Sequence, residues 1–192
     1  VSRSSGAHPV YTIGHSNHPI ERFAGLLKQH GVTLVADVRT TPASRFQPQF
    51  TRAAFSRALE AEGIEYLFLG VALGGRPRDG ARDYERMAEE PAFAEGIRRV
   101  REEAAHKVVA LVCAERDPMD CHRALLVGRA LAQEGMPIEH ILFDGGIQAQ
   151  RAFEERLLQG GNLAEGDLLE PREARLARAY RLRAARIGTA RK

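Results

Sequence analysis

Five short apolar runs separated by helical patterning constrain this chain more than any other feature. They read PVYTI (9–13), TLVADV (33–38), EYLFLG (65–70), KVVALVCA (107–114) and EHILF (139–143). They are rich in β-branched and aromatic residues, and the middle ones are nearly continuous, as strands buried on both faces must be. Between them, apolar residues recur at helical spacing: Phe23, Leu26 and Leu27, then Phe55, Ala58 and Leu59. Phe93, Ile97, Val100 and Ala104 form a third stripe, Ala124, Leu125, Gly128 and Leu131 a fourth, and Ala149, Ala152, Phe153 and Leu157 a fifth. Strand alternating with helix implies a largely parallel sheet covered on both faces.

The punctuation agrees with this period. Pro19, Pro91 and Pro118 stand where first-turn prolines belong. Gly31, Gly63 and Gly135 follow helical stretches, where a left-handed residue is wanted. Phe50, before a Thr51 cap, is placed to staple onto Phe55. The expected fold is a single three-layer, doubly wound α/β domain of about five mainly parallel strands over residues 9–160. Residues 1–8 are expected as a disordered lead-in and residues 161–192 as a basic helical extension.

The loops are lopsided. Helix-to-strand connections such as HGV and EGI are minimal, whereas strand-to-helix connections hold nearly all the polar chemistry: GHSNH, RTTPASRFQPQF, GVALGGRPRDGARDYERMAEE, AERDPMD and DGG. Ligands of open parallel sheets bind outside the carboxyl ends of the strands. His15, Asp37, Arg39, Arg45, Arg76, Cys113, Glu115, Cys121, His122 and Asp144 are therefore expected on one rim.

Charge is unevenly distributed. The chain is +3 overall, but Pro171–Lys192 holds eight Arg or Lys against Glu173, leaving residues 1–170 at −4. Such a tail suits nucleic acid; a solvated helix packed by Leu176, Tyr180 and Ile187 is favoured, because aromatic stacking residues are nearly absent from it. No apolar run approaches a membrane span, so no membrane partner is expected. Two cysteines and no signal-type apolar core at the start point to a reducing cytoplasm.

Both cysteines stand in CAERDPMDCHR (113–123). Cys113 ends the fourth strand. With Asp117 or Asp120 as the next N-cap, Cys121 and His122 fall in the first helical turn, where the helix dipole, His122 and Arg123 all favour thiolate. Cys121 is thus the better nucleophile, while Cys113 reads equally as a small buried hydrophobe. Cys113, Glu115, Cys121 and His122 also comprise ligand types, but seven residues between the cysteines is not a compact zinc spacing, so no metal is favoured. His15 is a candidate acid or base at the rim. Asp37 and Arg39 share a strand face; Arg39, Arg45 and Arg76 suit an anion. The LGGR amides at Gly74 and Gly75 offer a weaker anion cradle. No dinucleotide or P-loop motif is present, so no nucleotide cofactor is expected.

YTIGHSN, ADVRTTPASRFQPQF, the LGG after the third strand, and CAERDPMDCHR, in that order, resemble the domain-of-unknown-function 488 family from about Tyr11 to Gly146. The resemblance implies a compact α/β domain and assigns no activity; some members are labelled as DNA-repair proteins. It carries motif positions onto His15, Asp37, Arg39, Ser44, Arg45, Gly74, Gly75, Cys113, Glu115, Cys121, His122 and Arg123. The arginine-rich tail lies outside it.

The first expectation is an enzyme, a thiol-dependent hydrolase or transferase acting on a small anionic or phosphate-containing substrate. Cys121 or Cys113 supplies the thiol and His15 or His122 the acid or base, with Glu115 and Asp37 as orienting carboxylates. Arg39, Ser44, Arg45, Gly74, Gly75, Arg76 and Arg123 hold the substrate. The alternatives are a nucleic-acid-associated protein gripping phosphates through arginines and the tail, and a redox sensor with a reversible Cys113–Cys121 bridge. The sequence fixes no oligomeric state.

Overall fold

A computed structural model describes residues 8–76, 83–164 and 170–189. Most of the expected lead-in lies outside the described residues. Six strands form one sheet: β1 (Val10–Gly14), β2 (Leu34–Asp37), β3 (Glu65–Phe68), β4 (Val109–Cys113), β5 (Ile138–Ile141) and β6 (Ile147–Ala149). Their spatial order is β3-β2-β4-β1-β5-β6, with every pairing parallel except β5 with β6. The five expected strands are all present. The sixth is a three-residue return strand, joined to β5 by a turn in which Asp144 Oδ1 accepts the Gly146 amide and Gly145 takes a φ of 98°. Asp144 therefore shapes a hairpin rather than joining the other rim residues.

The helices sort into two layers by their apolar faces. α1 (Ile20–Gln29) and α2 (Arg52–Ala61) bury Phe23, Leu26, Leu27, Phe55 and Leu59 with Val35 and Val112 of the sheet. Phe50 and Phe55 meet edge to face with ring centroids 5.3 Å apart, so the expected staple forms. The opposite layer holds the short α3 (Gly70–Leu73) and α4 (Tyr84–Ala88), then α5 (Pro91–Ala104), α6 (Arg129–Gln133), α7 (Gln150–Gly160) and α8 (Arg172–Thr189). Phe93, Ile97, Val100, Leu125, Leu131, Phe153 and Leu157 build its core against Leu34, Leu111 and Ile138. Gly31, Gly63 and Gly135 take φ of 68°, 72° and 83°, as helix-ending residues with no Cβ can.

α8 is packed rather than loose. Ala179, Tyr180 and Ile187 are buried in the same core cluster, and Leu176 packs against it. Three of its cations turn back onto the body, Arg172 to Glu154 and Glu155, Arg181 to Glu85 and Arg183 to Asp120, while Arg178 pairs with Glu170 just before the helix. Arg175 and Arg186 donate to backbone carbonyls. Among the described residues, no helix is long and apolar enough to cross a membrane.

This topology fixes where a crevice opens. The chain leaves β1 for a helix on one face and leaves β4 for helices on the other, although the two strands are neighbours in the sheet. Loops diverging from adjacent parallel strands leave a cleft at their carboxyl ends. Gly14 and Cys113 are register partners at that edge.

Candidate functional site

The cleft is a cavity of about 350 Å³. Its lining includes His15 after β1, Arg39, Thr40 and Ser44 after β2, Gly75 and Arg76 after α3, and Cys113, Glu115 and His122 around the end of β4. Tyr84, Asp120 and Ile187 add to the walls, so α8 reaches the site as well.

The segment after β4 folds back on itself. Asp117 Oδ1 accepts the Met119 amide at 2.8 Å and caps a single 3₁₀ turn, Pro118–Asp120. The chain then extends at Cys121, with φ −133° and ψ 136°, before turning helical at His122. Cys121 thus precedes the first helical turn rather than lying within it. Its carbonyl accepts the amides of Ala124 and Leu125, and its Sγ lies 3.5 Å from the Arg123 amide nitrogen, so the sulfur occupies a capping position. Residues Arg123–Gly128 are wound as a π-helix, all six buried, before α6 begins.

That return brings both sulfurs onto one carboxylate. The thiols of Cys113 and Cys121 donate to Glu115 Oε2 at 2.9 and 3.1 Å. His122 Nδ1 lies 3.6 Å from the Cys113 sulfur and 3.9 Å from that of Cys121. Its Nε2 donates to the carbonyl oxygen of Val38 at 2.8 Å. Both cysteines are free thiols.

Burial and charge set the ionisation. Burial alone would raise the Glu115 pKa, but the two thiol hydrogen bonds outweigh it and hold the carboxyl at about 2. Burial also pushes Cys121 up; the Cys113 hydrogen bond, Arg123 and His122 reverse this and bring it down to about 6. Cys113 goes the other way, raised by burial and by its neighbours Cys121 and Glu115. Cys121 is therefore the first thiol to ionise, and a second negative charge beside Glu115 and Cys121 is opposed.

A second group supports the β1–β2 side. Arg39 grips Asp37 through Nε and Nη2 at 2.8 and 2.6 Å, and Tyr66 donates to Asp37 Oδ2 at 2.7 Å. Arg39 Nη1 donates to the Phe50 carbonyl at 2.7 Å and to His15 Nε2 at 3.2 Å. His15 Nδ1 donates to the Ser16 carbonyl at 3.0 Å, and its ring stacks on Phe50. Burial and the Arg39 charge lower its pKa to about 4, so His15 is neutral with both nitrogens engaged.

The expected residues do not all share the cavity. His15, Arg39, Ser44, Gly75, Arg76, Cys113, Glu115 and His122 line it, and Cys121 lies directly behind them. Asp37 is fully buried and addresses Arg39 and Tyr66 instead of the cavity. Arg123 is also fully buried; its guanidinium donates to the carbonyls of Glu115 and Arg116, so it positions the loop. Arg45 lies over the Phe46 ring, outside the lining. Gly74 and Gly75 serve close approach. A Cβ on Gly74 would meet Gly70 and Thr40, and one on Gly75 would sit 2.3 Å from His122 Cγ.

Thr40 and Tyr84 line the cavity without having been singled out in the sequence, and three further contributors depend on long-range contacts. Gly14 stood inside a quoted motif, yet its reason is spatial: a Cβ there would lie 1.8 Å from the Glu115 carbonyl oxygen. The Val38 carbonyl that orients His122 carries no side-chain signal. Ile187 comes from the tail, which no local pattern connects to the rim.

A family model described as "Domain of unknown function DUF488" matches residues 19–130, which span α1 through the start of α6 and include every member of the sulfur cluster. No curated protein and no solved structure matches the chain.

Proposed function

The chain belongs to the DUF488 family, and from that premise we propose that it is an enzyme whose reacting centre is the floor of the cavity, with a small anionic substrate drawn in by the wall. One observation carries this reading: a buried cluster of two thiols, a carboxylate and an imidazole faces a cavity whose wall holds Arg39 and Arg76. Asp120, the acid in that wall, is paired with Arg183. Arg39 is committed to Asp37, Phe50 and His15, so Arg76 and the Thr40 and Ser44 hydroxyls are the groups assigned to an incoming anion. Polar donors fixed around a recessed, reactive floor suit hydrolysis or group transfer on a phosphate or carboxylate compound.

The enzyme reading is supported over nucleic-acid binding by α8, where Arg172, Arg181, Arg183 and Arg186 have partners in the body and Arg175 and Arg178 have partners in the segment that leads into the helix. Arg191 and Lys192 lie outside the described residues.

The test is calorimetric titration with inorganic phosphate and acetate, beside a turnover screen of phosphate and carboxylate esters. The reading expects one of the anions to bind wild type and to bind Arg76→Ala at least about tenfold more weakly, a loss of about 1.4 kcal/mol. Turnover is expected to disappear in His122→Ala. A protein that binds neither anion and turns over none of the esters would overturn it.

A further inference from the structure

The floor of the cavity has the composition and spacing of a metal centre. One ligand atom from each of Cys113, Glu115, Cys121 and His122 lies within 4.8 Å of every other, and three of these residues are buried while the fourth is half-buried. Four-coordinate zinc, with bonds of about 2.3 Å to sulfur and about 2.0–2.1 Å to nitrogen or oxygen, requires ligand atoms about 3.3–3.8 Å apart. The sulfur-to-nitrogen separations are 3.6 and 3.9 Å. The sulfur-to-oxygen separations, 2.9 and 3.1 Å, are those of thiol hydrogen bonds. They open by roughly half an ångström when the protons leave and an ion takes their place.

His122 is set up as a ligand. A carbonyl only accepts, so the bond to Val38 places the ring hydrogen on Nε2 and turns the Nδ1 lone pair toward the two sulfurs. A backbone carbonyl holding the remote nitrogen in this way is the usual support of a metal-bound imidazole. Gly75 packs against the ring at Cγ and Nδ1, where any Cβ would collide with it. The Arg123 guanidinium, fixed to the carbonyls of Glu115 and Arg116, holds the loop between the cysteines in its folded-back form.

Charge leads to the same place. Two thiolates, one carboxylate and a neutral imidazole sum to −3, which a divalent cation reduces to −1 with Arg123 alongside. Two thiolates with an imidazole select a borderline-soft ion over magnesium or calcium, which prefer oxygen.

We propose that Cys113, Cys121, His122 and Glu115 bind one divalent zinc-type ion in tetrahedral coordination at the floor of the cavity. The proposal rests on the reading of that floor as the reacting centre, and it makes both cysteines ligands rather than nucleophiles. Binding exchanges the two thiol protons for the ion. Cys113, Glu115 and His122 also line the cavity, so a substrate meets the ion from the Glu115 side, and the carboxylate is the ligand placed to yield a position.

The experiment uses the full chain, reduced and stripped of metal, titrated with cobalt(II) and, separately, with zinc followed by elemental analysis. The expected result is one ion per chain, a sulfur-to-cobalt charge-transfer band, and intense visible absorption of tetrahedral type. Cys121→Ser and His122→Gln should weaken zinc binding by more than about tenfold while circular dichroism shows them folded. Glu115→Gln keeps shape and guards against variants that fail to fold; in it the tetrahedral cobalt spectrum should change. A wild-type chain that takes up no stoichiometric cobalt or zinc, or one whose spectrum survives intact in the Cys121 and His122 variants, overturns the proposal. Phosphate titration of the metal-free protein separates the two readings. Anion binding without metal uptake sinks the metal and leaves the cavity reading, whereas metal uptake without anion binding does the reverse.

Discussion

His122 and Val38 meet across the mouth of the sheet: the imidazole Nε2 donates at 2.8 Å to the carbonyl of Val38, which lies 84 positions earlier in the chain. This bond sets the tautomer and thereby the face that His122 offers to Cys113 and Cys121. It also ties the loop after β4 to the end of β2, so the sulfur cluster and the Asp37–Arg39 group form one body.

Gly75 guards that orientation. Substituting alanine puts a Cβ 2.3 Å from His122 Cγ, and one of the two must shift. Overpacking of this kind costs roughly 1–3 kcal/mol, and the more telling effect is on the ring. Nitrogen NMR of labelled histidine at alkaline pH, above a pKa that burial lowers but Cys121, Val38 and Glu115 raise overall, should show His122 as the Nε2–H tautomer in wild type and a changed signal in Gly75→Ala. An unaltered signal would show that the glycine does not restrain the ring.

Gly14 and Gly25 should respond in opposite directions to the same change. A Cβ at Gly14 would lie 1.8 Å from the Glu115 carbonyl oxygen and 2.8 Å from its carbon, both backbone atoms that yield only if the loop moves. Gly25, within α1, has nothing within 4 Å of the added atom. Gly14→Ala is expected to destabilise by more than about 3 kcal/mol or to prevent folding. Gly25→Ala is expected to stabilise by about 0.5–1 kcal/mol through helix propensity. Urea melts of the two variants check both signs.

Much of this architecture is legible from local pattern, because strand and helix periods, Gly31, Gly63 and Gly135 all act over a few residues. The rim position of His15, Arg39, Cys113 and His122 followed from strand ends alone. What escaped was set by distant contacts. The spacing of Cys113 and Cys121 is not that of a compact zinc motif, which closes a short loop; here one 3₁₀ turn at Pro118–Asp120 folds seven intervening residues back and brings the four side chains of the cluster together. Arg123 looked like a substrate ligand because arginines usually face solvent, but the carbonyls of Glu115 and Arg116 claim it. β6 was missed because three residues, Ile147, Gln148 and Ala149, are too few to show a period.

Asp37 should prove structural and costly to change. Its carboxylate is fully buried and holds Arg39 by two side-chain bonds while accepting from Tyr66. Asp37→Asn leaves the Arg39 charge in a dry site with one partner neutralised, which costs roughly 3–5 kcal/mol. Thermal unfolding provides the measure. A variant as stable as wild type would mean that Phe50 and His15 suffice to hold the guanidinium.

The last expectation concerns acid stability and rests on His140 in β5. The ring is fully buried. Gln150 directs its side-chain NH₂ to Glu154 and Tyr180, so its Oε1 accepts from His140 Nε2, and Nδ1 accepts the Thr12 hydroxyl at 2.8 Å. The network therefore requires neutral imidazole. Burial lowers the pKa to about 4 from 6.5; the charges of Arg123 and Arg156 add to this, while Gln150 and Asp117 oppose it. Phe153 covers the ring face, centroid to centroid at 4.7 Å. The sign follows from proton counting. Below pH 6.5 the unfolded chain takes a proton on this residue that the native protein refuses, so stability falls as pH drops and stops falling near 4. The full contribution, about 3 kcal/mol, is present above pH 6.5. His15, with a pKa also lowered to about 4, adds a loss of the same sign, so wild type alone does not isolate His140. Urea unfolding from pH 4 to 7 on wild type and His140→Gln resolves it. The wild-type stability should rise with pH more steeply, by close to one proton at its maximum, and equal slopes would show that His140 protonates in the fold as readily as outside it.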